Sequence, residues 1–459
     1  MSSYRFFANE DIPVSALREI RSRVMSETLP RDRDILIVHD VTQLDYTRQN
    51  AKKDREQIGD HDGMGYEYIP SVAVDLESGV IIGVVHDTLV NEEGPDDRDV
   101  LDYDYEPLFA GLSEKDRKRL LKNHRHQMAT RINTLAPLLA GHRVIHTADR
   151  EFDDIFLLDR CVENGADFVI RSSGLRNVQV PAAAWIPAEA QTGPQAGHPA
   201  PEGWLYANLA RLAAAVPVSP YKTLPLDSRN RVTEERTASR RAHLSIGAFP
   251  IRLYRIAKRN KAYFSPPRPV QVHVVVIREE NPPEGTTPLC WMLMTSLPVD
   301  TPDQLARVGR SYERRWKIEE YFKLLKSGYR IEATKLDSAR KTAKLLVVLS
   351  LSAMAILHLK HRLSLPAEGR MGKTDYLRIY TAMREPNNRE ISIDLRLYAY
   401  MVKLGGWIGR RNDPIGPTVL MRGFQQLMAV FDAMTNHPGL IEEAKNQDDL
   451  LRKLFAYNC

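Results

Sequence analysis

The chain has 459 residues, room for two or three domains and a large buried core. A 43% hydrophobic and 27% charged content excludes low-complexity and fibrous classes, and a net charge of +5 suits a polyanionic partner without requiring one. The three cysteines, Cys161, Cys290 and Cys459, are odd in number and far apart, which excludes a disulfide framework and a zinc-ligand set and points to a reducing cytoplasm.

The N-terminus has no secretory-signal pattern. Val14 to Ser26 predicts an amphipathic helix. Ile35-Leu-Ile-Val38-His39-Asp40 is a short apolar run ending in an acid. It predicts a buried strand, with Asp40 where the strand emerges into a loop, a common place for catalytic groups. A capping aspartate after a core strand fits the same residues. Gly59 to Gly65 is a polar, glycine-rich loop without the features of a phosphate-binding loop. Ile69 to Val74 and Val80 to Val85 predict a hairpin about Leu76-Glu-Ser-Gly79. Asn91 to Tyr105 is acidic and expected to be exposed, and Glu114 to Leu135 predicts a helix.

Arg143-Val-Ile-His-Thr-Ala-Asp149 repeats the theme of an apolar run closed by an acid. Arg150-Glu151-Phe152-Asp153 begins a helix ending near Gly165, and Phe168 to Arg171 predicts another strand. Strand, hairpin, helix, strand, helix, strand is an order compatible with a ribonuclease-H-like α/β core. In such a core the strand-end Asp40 and Asp149 are neighbours across the sheet.

From about Leu175 the character changes. Residues 180–203 are rich in Pro, Ala and Gly. Between Arg229 and Lys261 there are ten Lys or Arg against two Glu. Ile251 to Ile256 and Val270 to Ile277 alternate, which predicts strands of an inserted, mostly β subdomain with a basic face. Pro288 to Ser296 returns to an apolar strand in which Trp291 reads as an ordinary core residue. Asp303 to about Gly328 predicts one helix. At about 100° per residue, Tyr312, Arg315, Glu319 and Lys326 share one face, while Ile318, Phe322 and Leu325 form an apolar stripe. Charge pattern alone makes that polar face a solvated one. Ala339 to Leu363 predicts a long apolar helix. Its longest apolar run, Leu345 to Leu359, is shorter than the ~20 residues that span a bilayer. A helical tail follows Pro366.

Tyr, Arg three on, Glu four on and Lys seven on form the YREK signature, and with it the chain resembles the insertion-sequence-four family of DDE transposases, most closely its transposon-five branch. The Asp149-Arg150-Glu151 triplet, the opening Tyr4-Arg5-Phe6 and the segments Leu404 to Pro414 and Arg422 to Gln425 are similar to that family as well. The resemblance implies that Asp40, Asp149 and Glu319 are catalytic acids. Clustered carboxylates repel unless a cation is present, and Mg2+ or Mn2+ is the hard, oxygen-seeking choice. Two such ions, about 4 Å apart, serve in-line displacement at phosphorus. Tyr312, Arg315 and Lys326 would hold DNA phosphates, Trp291 would stack on a flipped base, and Arg150 and Arg171 are further DNA-contact candidates.

The implied activity is cut-and-paste transposition: end cleavage, hairpin formation and strand transfer on double-stranded DNA. The protein would act as a homodimer, in the cytoplasm with the nucleoid and without a membrane. The expected division is 1–30, a helical remnant; 31–174, the first part of the core; 175–290, the inserted subdomain; 291–365, the second part of the core; and 366–459, a helical dimerisation region. The branch carries a small end-recognition domain before its Tyr-Arg-Phe segment, so the expectation is a late start or a truncated form. A truncated form could act as a non-catalytic regulator.

Overall fold

The computed structural model describes residues 2–59, 62–90, 124–174, 176–182, 186–193, 200–226, 240–254, 269–363, 381, 393–407 and 415–436. The acidic stretch 91–105, most of the basic stretch 229–261 and the segment 408–414 lie outside these residues, and so does Cys459.

The chain divides into two compact units: Met1–Ile318 with Ala333–Leu351, and Glu319–Glu332 with Ser352–Cys459. The first unit begins with helices α1 (Ser2–Ala8) and α2 (Val14–Thr28) and strands β1 (Asp34–His39), β2 (Thr42–Asp45), β3 (Glu56–Ile58), β4 (Gly63–Asp75) and β5 (Ile81–Leu89). There follow α3 (His124–Leu138), β6 (Arg143–Ala148), α4 (Ile155–Glu163) and β7 (Asp167–Arg171). Next come β8 (Asn177–Pro181), β9 (Trp204–Asn208), α5 (Leu209–Ala215), β10 (Ser219–Leu226), β11 (Arg240–Leu253), β12 (Val270–Glu280), β13 (Cys290–Thr295) and α6 (Pro302–Arg314).

Among the described residues these strands form one mixed sheet. Its order is β2-β4-β1-β6-β7-β13-β12-β11-β8-β9, with β3 and β5 on β4 and β10 on β11. β1 is antiparallel to β4 and parallel to β6, and β6 is parallel to β7. Ile35 to Val38 are fully buried, as expected of strands covered on both faces. Ile35 and Ile37 pack with Met25 of α2, with Leu29 just after that helix, and with Leu135 and Leu139 at the end of α3. The inserted stretch therefore continues the core sheet through β13 and β12, and it also contains the helix α5.

Charge pairs fix the elements around β1. Asp87 of β5 takes Arg18 and Arg21 of α2 at 2.8 and 2.7 Å, and the Tyr68 hydroxyl donates to it at 3.1 Å. Helix α6 starts with a capping box in which Thr301 accepts from the Gln304 amide, and Pro302 stands in its first turn. Arg307 of α6 grips Asp34 at the start of β1, with nitrogen–oxygen distances of 2.8 and 2.7 Å. Arg314 donates to Leu76 O (3.2 Å) and Glu77 O (2.7 Å) in the β4–β5 turn. Gly79 in that turn has φ +69°, which favours glycine, and a Cβ there would lie 2.6 Å from the Arg314 guanidinium.

The expected single helix 303–328 is broken. α6 ends at Arg314, α7 spans Lys317–Lys323, and Leu324–Gly328 is a π-turn. The tightening at Arg315 consists of bonds from Arg315 N to Tyr312 O (3.0 Å) and from Ile318 N to Arg315 O (3.2 Å), the three-residue spacing of a 3₁₀ turn. The π-turn is closed by Tyr329 N donating to Leu324 O (2.8 Å).

Helix α8 (Ala339–Leu363) begins in the first unit and ends in the second. Within it, Ala339–His358 is long and apolar enough to cross a membrane by length and composition, yet 56% of that stretch is buried. Its buried Lys344 donates to Asn9 O at 2.6 Å, a bond that fits a core helix. The second unit holds α9 (Ile393–Leu404) and α10 (Pro417–Asn436). These cross closely: a Cβ on Gly423 would fall 1.8 Å from Met401 O, and one on Gly405 would fall 2.0 Å from Val419 O.

Candidate active site

The register of β1 on β6 pairs His39 with Ala148, so Asp40 and Asp149 follow at the same ends of neighbouring parallel strands. The carboxyl ends of parallel strands are where open α/β sheets place ligands. Each acid first satisfies its own loop: Asp40 Oδ1 accepts from the Val41 amide (2.9 Å) and Asp149 Oδ1 from the Arg150 amide (2.6 Å). The other oxygens turn to one cation. Arg315 Nη1 donates to Asp40 Oδ2 at 2.8 Å, and its Nη2 lies 3.7 Å from Asp149 Oδ2.

The rest of the first-unit cluster comes from α6, β7 and β13. The Tyr312 hydroxyl donates to Asp149 Oδ1 (3.2 Å), and Arg171 Nη1 reaches that hydroxyl at 3.5 Å and the carboxylate at 3.8 Å. Trp291, half-buried, meets the Tyr312 ring edge-on with centroids 5.5 Å apart. Arg150 is exposed beside Asp149. Burial, and then the Asp149 carboxylate, push the Tyr312 phenol above its ordinary pKa, so it remains a proton donor. Burial opposes the Arg315 charge, but Asp40, Tyr312 and Asp149 outweigh it and hold the guanidinium above its ordinary value.

Of the residues singled out from the sequence, the structure thus gathers Asp40, Asp149, Tyr312, Arg315, Arg171 and Trp291. Glu319 and Lys326 belong to the second unit. Glu319 is exposed in the first turn of α7, and Lys326 sits in the π-turn with its ammonium 3.7 Å from Glu332. Among the described residues no group of three or more His, Cys, Asp or Glu is close enough to hold a metal ion.

Sequence reasoning missed the residues behind the acids. His39 and His146 stack in the core with ring centroids 5.1 Å apart, and His39 Nε2 lies 2.9 Å from His146 Nδ1. His39 Nδ1 lies 2.9 Å from Ser71 Oγ, which also accepts from Arg131 at 3.2 Å. The chain of bonds joins β4, β1 and β6 just below Asp40 and Asp149. Its one signal in the sequence is a histidine inside each apolar run, His39 one residue and His146 three residues before the acid. Arg307 and Arg314, seven apart on α6, were missed for a similar reason: their partners lie on other elements.

The family model described as "Transposase DDE domain" matches residues 122–355, just over half of the chain. The match takes in Asp149, Trp291 and the whole segment Tyr312 to Lys326, while Asp40 lies upstream of it.

Proposed function

The chain belongs to the family of transposase DDE domains, whose core is ribonuclease-H-like, and from that premise we propose that it cuts and joins DNA at a site made by Asp40, Asp149 and Glu319. The observation that carries the reading is one guanidinium shared by two carboxylates at the ends of adjacent parallel strands. Two hard oxygen donors that already hold a common cation have the chemistry a divalent ion needs, so Asp40 and Asp149 fit Mg2+ or Mn2+. Glu319 is assigned as the third ligand from the sequence spacing. When bound, the metal would activate the attacking oxygen and stabilise the leaving 3′ oxygen.

The protein's own residues then have distinct tasks. The carboxylates hold charge in place and do not act as acid and base. Arg315 and Arg171 bring cations to the phosphate being attacked, where a bidentate guanidinium is the best partner. Tyr312 is held as a hydrogen-bond donor by its raised pKa. Lys326 adds a cation, and Trp291 offers a ring on which an extruded base stacks. The YREK spacing and the Tyr-Arg-Phe opening support the insertion-sequence-four family and its transposon-five branch, and hence cleavage through a hairpin followed by strand transfer. On this reading 175–290 is the basic subdomain that tracks the duplex, 366–459 pairs two protomers, and the complex works in the cytoplasm.

The test is strand cleavage of DNA bearing the element's own ends with Mg2+. Asp40→Asn, Asp149→Asn and Glu319→Gln are each expected to slow cleavage by roughly a thousandfold or more in protein that still folds, a barrier increase of about 4 kcal/mol. Cleavage at the parental rate in any of the three removes that residue from the site. Stable folding and dimer formation by the chain without cleavage would favour a non-catalytic regulator.

A further inference from the structure

Arg315 does more in this geometry than wait for a phosphate. We infer that it gates the metal: its guanidinium competes with a divalent ion for Asp40 and Asp149, and a DNA phosphate releases it. This rests on the reading of those two acids as metal ligands.

Arg315 places Nη1 at 2.8 Å from Asp40 Oδ2 and Nη2 at 3.7 Å from Asp149 Oδ2, with 5% of its side chain exposed. A guanidinium cannot be deprotonated at any working pH, so this cation stays charged. A divalent ion drawn to the same oxygens would meet a fixed positive charge within a few ångströms, in a setting that water screens poorly. Either the ion is excluded or the arginine leaves.

The arginine has a reason to leave. Its Nε is buried and has no hydrogen-bond partner. An unmade bond of a buried donor penalises this pose. A DNA phosphate offers a bidentate acceptor that uses the fork more fully than two carboxylates set on separate strands. The exchange replaces one anionic partner by another, and the vacated oxygens turn to the metal. Metal loading then waits for DNA. By linkage, DNA tightens metal binding and metal tightens DNA binding by the same factor.

The experiment uses the full chain and Mn2+, with free Mn2+ read from its electron paramagnetic resonance signal. Four proteins are compared: wild type, Arg315→Gln, Arg315→Lys and Asp149→Asn. Each is titrated with and without a short duplex of arbitrary sequence at low ionic strength. Without DNA, Arg315→Gln is expected to bind Mn2+ about tenfold more tightly than wild type, within the usual range of coupling between sites. With the Mn2+ taken up by the duplex alone subtracted, the duplex should tighten wild type by a similar factor and Arg315→Gln distinctly less. Arg315→Lys keeps the charge and should stay near wild type without DNA.

Equal or weaker Mn2+ binding by Arg315→Gln, with binding lost in Asp149→Asn, overturns the gate and leaves the metal ligands standing. Wild-type Mn2+ binding by Asp149→Asn instead overturns the ligand reading, and the gate with it. If Arg315→Gln does not fold, the wild-type titration decides alone, and an affinity that ignores the duplex overturns the gate.

Discussion

Trp291 is the residue whose environment most sharply separates two roles. Its ring meets Tyr312 edge-on at 5.5 Å, and it stays partly open where a wholly structural tryptophan of β13 would be covered. On the proposed hairpin route, Trp291→Ala is expected to reduce hairpin formation roughly tenfold or more while slowing first-strand nicking less than about threefold, since base stacking is worth about 1–3 kcal/mol per base. Trp291→Phe should recover much of that activity. Gel-resolved single-turnover assays would separate the steps, and an equal reduction of both would return Trp291 to the core. At this scale the strand-end placement of Asp40 and Asp149 was legible because an apolar run closed by Asp marks a strand end. The nearness of Tyr312 and Arg315 was legible because residues three apart on a helix share a face. His39 and His146 were not, since a histidine in a buried strand has no visible partner until the register of β1 on β6 is known.

The strands β4, β1 and β6 are cross-linked by the Ser71–His39–His146 chain, and that element-level device has a pH signature. Burial holds His146 down to about pKa 4, and burial with the neighbouring His146, Arg131 and His86 charges holds His39 well below its ordinary value. In the unfolded chain a histidine titrates near 6.5. Between about that pH and about 4 the unfolded state binds protons that the folded state refuses, so the stability is complete above the unfolded value and is lost as pH falls toward 4. For His146 alone this amounts to roughly 3 kcal/mol. Urea melts of the parent should show that acid limb, and His146→Gln should flatten it while lowering stability at neutral pH; an unchanged limb would place the acid sensitivity elsewhere. The elements themselves were mostly legible: the helix expected at 14–26 runs Val14–Thr28, and the expected hairpin is there, but β4 starts at Gly63 inside the stretch read as a glycine-rich loop and β5 runs on to Leu89. The 303–328 helix was legible only as a helix. Periodicity at about 100° per residue does not register a 3₁₀ step at Arg315 or a π-turn at Leu324–Gly328, because both answer to tertiary packing.

Across the whole molecule the succession of the core elements along the chain was readable, but not the strand order or the reach of the sheet. β7 pairs with β13, which lies far later in the chain, and local pattern does not encode antiparallel partners at that range. Charge is the other property of the whole. The net is only +5, yet Arg229 to Lys261 alone carries ten basic residues against two acidic, so the remainder is slightly acidic. A polyanion should therefore be held chiefly through that stretch, and its affinity should depend steeply on salt. Each neutralised phosphate contributes about 0.9 to the slope of log K against log salt. Replacing Arg229, Arg231 and Arg236 with Gln is expected to weaken binding to every duplex alike and to flatten that slope by about 0.9 for each phosphate no longer neutralised. It should do so without changing the melting temperature. Fluorescence anisotropy across a salt series reads both quantities. A slope that survives the triple substitution would show that the duplex is held elsewhere, with Arg150, Arg171 and Lys326 next to be tested.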